Sequence, residues 1–268
     1  MLINLLFKHQ PQLMTDAPVF RAVLEQVDDP ANLSLLQAFI LASGIYGLQP
    51  DLILDLGTGM GNSGAIFGLI AERVGAEVHT FDINPNWEIA LSRLKAPFRA
   101  KVAANVTAHG DITKYDFESL LKPASRVFVF WDAHGFDVAQ YVLSGVIPII
   151  ADRPHLVLCH DMSDNRFCGP KSYEGKSIWG LKSGSTAYVN LSWVCSHAAQ
   201  AIAILDFCWR NDLSFHSVDE ELHKRADPGE RSAFCAATGL DENAGAHMGY
   251  FTMMETNIRN FPARLAND

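Results

Sequence analysis

An apolar run, Leu52-Ile53-Leu54, ends in Asp55, and glycines then stand at every second position, Gly57, Gly59 and Gly61, before Asn62 and Ser63. Few folds accommodate this pattern. A buried strand must stop sharply, pass through a turn whose backbone lies open to a ligand, and enter a helix. Glycine lacks Cβ, so it turns with positive φ and leaves room for a bound molecule at the helix N-terminus. The acid before the first glycine narrows the ligand further. A carboxylate at this turn repels a pyrophosphate and attracts an ammonium group.

Strands and helices alternate from that point. Strands are expected at 51–56, 77–82, 104–109, 126–132 and 155–160, and helices at 62–74, 86–95, 115–122 and 136–147. Such alternation predicts an α/β fold: a doubly wound, Rossmann-like, mostly parallel sheet with helices on both faces. Ligands of these sheets bind beyond the carboxyl ends of the strands, at the switch point. Strand ends here carry Asp55, Asp82, Asp132 and His160-Asp161, and the third strand leads into Gly110-Asp111, so the acids line one rim.

The flanks are less regular. Residues 17–48 carry apolar positions at helical spacing, broken by Asp28-Asp29-Pro30. They read as two helices in an N-terminal extension or lid (1–48), placed over the ligand mouth or at a homodimer face. Residues 49–268 form the ligand-binding domain. Within it, 162–194 is rich in Gly, Ser and Lys and holds Tyr173, Trp179, Tyr188 and Trp193. A connection this long in a compact domain reads as a lid. A helix at 196–210 and strands at 213–218 and 249–254 follow, joined by a polar connection at 219–247.

Charge and cysteines exclude several classes. The formal net charge is -9, with no dense Lys/Arg run, so no face is built for a nucleic acid backbone. No apolar run reaches membrane-spanning length. Five cysteines, with no Cys-x-x-Cys pair, form no disulfide framework and suit a reducing compartment. The expectation is a cytoplasmic protein that acts on a small molecule, with no membrane partner.

Three landmarks together resemble the class I S-adenosylmethionine (SAM)-dependent methyltransferases. They are Asp55-x-Gly57-x-Gly59-x-Gly61, then Phe81-Asp82-Ile83-Asn84-Pro85, then His109-Gly110-Asp111-Ile112. The resemblance spans about residues 50–162. It implies that Asp55, Gly57, Thr58, Gly59, Gly61, Asn62 and Ser63 hold the methionine end. It likewise places the ribose hydroxyls on Asp82 with Ile83 beside them, and the adenine near Gly110, Asp111 and Ile112. The last two strands would match that family's antiparallel sheet end. A nicotinamide-binding Rossmann turn is the main competitor, but it needs glycine where this chain has Asn62. The bland reading of Asp55 is a carboxylate that caps the following helix or bonds the turn.

Two further clusters end the fourth and fifth strands: Trp131-Asp132-Ala133-His134-Gly135 and His160-Asp161-Met162-Ser163-Asp164-Asn165. Neighbouring strands lie about 5 Å apart, so Asp132 and Asp161 can share a hard cation such as Mg²⁺, with Asp164 or Asn165 completing the set. The arrangement resembles the divalent-metal-dependent small-molecule O-methyltransferases, including catechol-type and sugar-modifying members. Where the catechol-type enzymes have Asn after the second acid, this chain has Met162, which supplies no hard oxygen. Methyl transfer from a sulfonium needs a positioned and activated acceptor oxygen. A metal can lower the acceptor's pKa, or His134 or His160 can remove its proton. Asp132 can instead bind the methionine amine or cap the helix at 136, and His160 can be a satisfied core histidine.

These observations lead to a SAM-dependent methyltransferase acting on an oxygen of a small polar acceptor, sugar-like or polyhydroxylated, with Mg²⁺ as an optional second cofactor. The rival readings are a catalytically silent SAM-fold binding protein and a metal-dependent oxidoreductase or hydroxylase-like relative.

Overall fold

The computed structural model describes residues 2–27, 33–160, 191–218, 222, 226–240 and 251–255. The 162–190 part of the expected lid, and Asp161, Asp164 and Asn165, lie outside the described residues.

Seven strands form one sheet: β1 (Leu52–Leu56), β2 (Glu77–Phe81), β3 (Val106–His109), β4 (Val127–Trp131), β5 (His155–His160), β6 (Ser214–Ser217) and β7 (Phe251–Glu255). Their order is β3-β2-β1-β4-β5-β7-β6. The first five are mutually parallel; β7 runs antiparallel to both β5 and β6. The sheet is therefore the predicted one, including its antiparallel end. Every residue of β1 and of β4 is buried, as strands covered on both faces require.

Side-chain alternation divides the core. On one face Ile53, Val78, Phe128, Phe130 and Leu158 pack under the helices α1 (Leu2–Lys8), α2 (Gln10–Val27), α3 (Leu35–Leu48) and α4 (Asn62–Val74). Phe67 of α4 meets the rings of Phe128 and Phe130 edge-on, at 5.8 and 5.9 Å between centroids. On the other face Leu54, Leu56, Val129 and Trp131 pack under α7 (Phe117–Leu121), α8 (Phe136–Tyr141), α9 (Ile147–Ile150) and α10 (Leu191–Arg210). The 1–48 segment thus shares a core with α4 and the sheet, and the predicted pair of helices is preceded by a third, α1, whose Leu2, Ile3 and Leu6 are buried.

Several boundaries differ from expectation. The helix expected over 136–147 extends to 150 with a π turn at Val142–Val146. Pro148 accounts for it, because proline has no N–H for the preceding turn and crowds the carbonyl four residues back. Helix α5 (Asn86–Arg93) is the one expected over 86–95; α6 (Ala96–Asn105) was not expected and takes the first two residues of the strand expected at 104–109. Its signal was Pro97 in the first turn, but only Val102 is buried, so it shows no apolar stripe. Residues 191–194, expected in the lid, open α10. Helix α11 (Pro228–Thr238) lies in the expected polar connection and is announced by Asp227-Pro228-Gly229-Glu230, an N-cap, a proline and an acid in the first turn. No helix among the described residues is long and apolar enough to cross a membrane.

Candidate functional site

The site lies where β1 and β4 are neighbours and their outgoing connections part, beyond the carboxyl ends of the strands. After Leu56 the chain turns back at once: the N–H groups of Gly57 and Thr58 both donate to the Phe81 carbonyl of β2, at 3.0 Å each. Gly57 has φ +113°, and a Cβ there would meet the Asp132 backbone at 2.6–2.7 Å. The glycine therefore lets the first turn and the β4 loop close on each other. The Asp132 N–H completes the junction by donating to the Leu56 carbonyl at 2.8 Å. Gly59, by contrast, is exposed and has open space where its Cβ would be. Gly61 precedes the first turn of α4, and Thr58, Asn62 and Ser63 are buried in the turn itself.

Asp55 is the acid that precedes the glycine turn. Its side chain is fully buried beneath the start of α4, where Oδ2 accepts from Thr80 Oγ1 at 2.7 Å and the carboxylate also bonds Ser63. Its Oδ1 is buried without a hydrogen-bond partner among the described residues. Burial, opposed by the Thr80 and Ser63 hydrogen bonds and assisted by Asp132 and Asp82, pushes its pKa up to about 7.

Asp82 ends β2 on the rim. It accepts from the Gly59 N–H (3.0 Å), the Asn84 N–H (2.8 Å) and Asn86 Nδ2 (3.3 Å). It ties the glycine turn to the second landmark and keeps lone-pair capacity for a diol. Ile83 is 77% exposed beside it. Gly110 is exposed. Asp111 is engaged locally: it accepts from the N–H and hydroxyl of Thr113 and pairs with Lys114 at 3.0 Å, contacts that hold its carboxyl below the usual range. Ile112 is buried in the core with Phe81 and Phe117.

Asp132, His134 and His160 meet. His160, the last residue of β5, brings Nδ1 to 2.8 Å from Asp132 Oδ1. His134 Nε2 lies 3.4 Å from the same oxygen. The turn that carries them is held by Trp131, whose Nε1–H donates to the Ala133 carbonyl at 2.9 Å. Burial alone would raise the pKa of Asp132, but His160 and then His134 outweigh it and hold the carboxyl below the usual carboxylate range. The result is a fixed anion, still 27% exposed, at the centre of the rim.

Two glutamines that the sequence reading missed complete the cluster. Gln37 of α3 places Nε2 3.3 Å from His160 Nε2, and Gln200 of α10 places Oε1 2.8 Å from His134 Nδ1. Both are buried. Ser34-x-x-Gln37 is a capping-box signature, and an amide inside an otherwise apolar helix signals a buried polar partner; Gln200 has no comparable mark. Among the described residues no group of three His, Cys, Asp or Glu side chains is arranged to hold a metal ion. Of the four expected ligands only Asp132 is described, and its Oδ1 is already engaged by imidazole.

No family model and no curated protein matches this chain. Solved structures do. The SAH-bound methyltransferase PaMTH1 of Podospora anserina is 17% identical, with 88% of each chain covered and a TM-score of 0.50. The cofactor-bound Rv0187 of MTB is 15% identical, with 89% of each covered and a TM-score of 0.51. A Staphylococcus aureus protein provisionally named a caffeoyl-CoA O-methyltransferase is 14% identical over 89% of this chain and 90% of its own, at a TM-score of 0.50. The chain thus has the Rossmann-like fold of the SAM-dependent methyltransferases, over nearly nine-tenths of its length.

Proposed function

We propose that this protein is a SAM-dependent methyltransferase that acts on an oxygen of a small polar acceptor. The observation that carries the reading is the fixed Asp132 anion, seated against the glycine turn and flanked by His134 and His160. The residues suit the cofactor: Gly59 leaves open space at the turn, Asp82 stands at the ribose position, and Asp82 and Asp132 make the rim negative for a cationic ligand. The shared fold with SAH-bound PaMTH1 supports the same reading.

When bound, SAM supplies an electrophilic methyl group on a sulfonium. The protein's part is placement and proton transfer. Asp132 attracts either the ammonium end of the cofactor or a hydroxyl of the acceptor through Oδ2, since both imidazoles approach Oδ1. His134, with Nδ1 2.8 Å from Gln200 Oε1 and Nε2 beside Asp132, is the side chain placed to take the acceptor's proton. The imidazolium so formed lies 3.4 Å from Asp132 and is stabilised by it. A polyhydroxylated acceptor suits the hydrogen-bonding partners that Asp132 and the two imidazoles offer. A divalent ion would need Asp161, Asp164 or Asn165 beside Asp132, and chelator treatment decides its place.

The test pairs calorimetric titration with S-adenosylhomocysteine and mass-spectrometric detection of methylated product from a panel of polyols, sugars and catechols. Binding together with transfer to oxygen is the expected result. Binding without transfer to any acceptor would favour the silent relative, and binding of nicotinamide dinucleotide instead would overturn the reading. Loss of activity on chelation with cofactor binding intact would assign the metal.

A further inference from the structure

Helix α3 is apolar along nearly its whole length, and Gln37 is its only amide side chain apart from the cap that follows it. It is 5% exposed, so both ends of the amide need partners. The capping box decides which end points where. Gln37 Oε1 accepts the Ser34 backbone N–H at 2.7 Å, while the Ser34 hydroxyl accepts the Gln37 backbone N–H. A backbone N–H only donates, so the amide oxygen must face it and the NH₂ must face away. That NH₂ meets His160 Nε2 at 3.3 Å. An amide NH₂ donates and does not accept, so Nε2 carries the lone pair and the ring proton sits on Nδ1. Nδ1–H then donates to Asp132 Oδ1 at 2.8 Å.

We propose that Gln37 is a positioning residue: its amide, oriented by the capping box of α3, holds His160 as the Nδ1–H tautomer, which clamps Asp132 Oδ1 and turns Oδ2 to the ligand. His160 is engaged at both ring nitrogens and orients the acid, whereas His134 takes the proton. The N-terminal helices thereby contribute to the chemistry through hydrogen-bond polarity and not only as cover. The consequence for turnover rests on the function proposed above; the tautomer does not.

Two variants separate donor from cap. Gln37→Glu keeps an oxygen for the Ser34 N–H and replaces the donor at His160 with an acceptor. Gln37→Leu removes the donor and offers nothing in its place. The full chain, with ¹⁵N-labelled histidine, is read by spectra that correlate ring protons with both ring nitrogens, and His160 is identified by the signals that His160→Asn removes. The wild type is expected to show Nδ1 protonated and Nε2 unprotonated. Gln37→Glu adds a proton at Nε2, giving a ring protonated at both nitrogens between two carboxylates, and Gln37→Leu shifts the Nε2 signal downfield as it loses its donor. In the methyl-transfer assay Gln37→Glu lowers kcat by about tenfold to a hundredfold, the range for loss of an orienting partner, with the Kd for S-adenosylhomocysteine unchanged. A protonated Nε2 in the wild type overturns the proposal, as does a folded Gln37→Glu whose His160 ring is unchanged. If Gln37→Glu fails to fold, the wild-type spectrum and Gln37→Leu still decide. Failure of S-adenosylhomocysteine to bind, with the tautomer as stated, would sink the cofactor reading and leave this one standing.

Discussion

Two carboxylates on the same rim are driven in opposite directions. Asp55 is buried, with one oxygen unpartnered among the described residues, and its pKa rises to about 7. Asp132 receives two imidazoles and stays below the ordinary range. The raised group binds its proton more tightly when folded. Its stabilising contribution is therefore complete below the ordinary carboxylate value of 3.8 and is lost as pH rises to about 7. The expected outcome is that Asp55→Asn raises Tm at pH 8 and leaves it almost unchanged at pH 4, as read by thermal melts across that interval. For Asp132 the sign reverses: its stabilisation is present at neutral pH and is lost as pH falls below the ordinary carboxylate range. His134→Ala is expected to lower kcat by roughly 10²- to 10⁴-fold, the usual worth of a general base, while the calorimetric Kd for S-adenosylhomocysteine stays within about threefold. The glycine turn offers a contrast between neighbours. Gly57→Ala drives a Cβ into the Asp132 backbone and should abolish cofactor binding. Gly59→Ala meets open space and carries only the left-handed backbone cost, about 1–2 kcal/mol, measured by denaturant titration.

Among the elements, the strands were the easiest to read. β1 and β4 are short, mostly apolar runs bounded by turn residues, as burial on both faces favours; the polar exception, Asp55, is hydrogen-bonded by Thr80. The elements that escaped notice share one trait: their apolar face is narrow. α6 buries only Val102. α11 buries Phe234, Cys235 and Thr238, and its cap signature was outweighed by its polar composition. Helix α3 starts at a reciprocal cap that both ends the coil and orients Gln37. Ser34→Ala should cost about 1 kcal/mol in chemical denaturation, and the Ser34 N–H bond to Gln37 should persist.

The N-terminal helices are bound into the fold by a polar cluster as well as by the core. Asp16 of α2 is 1% exposed and accepts from Tyr46 of α3 at 2.6 Å, and it pairs with Arg73 of α4. The buried Asp16 carboxylate raises the Tyr46 pKa beyond the effect of burial alone. Arg73→Met removes the charge partner but leaves the Tyr46 and Gln12 donors, so it should cost about 2–4 kcal/mol in urea denaturation, somewhat less than a buried pair stripped of all support. The glycine turn, the strand–helix rhythm and the rim of acids were all legible in the linear chain, because turn chemistry and side-chain period act between near neighbours. The sealing of Asp55 and the joining of Gln37 to His160, 123 positions away, and of Gln200 to His134, 66 away, were not. Those depend on which helices cross the rim and which side chains they bury there, and packing of that kind leaves no spacing in the sequence from which it can be read.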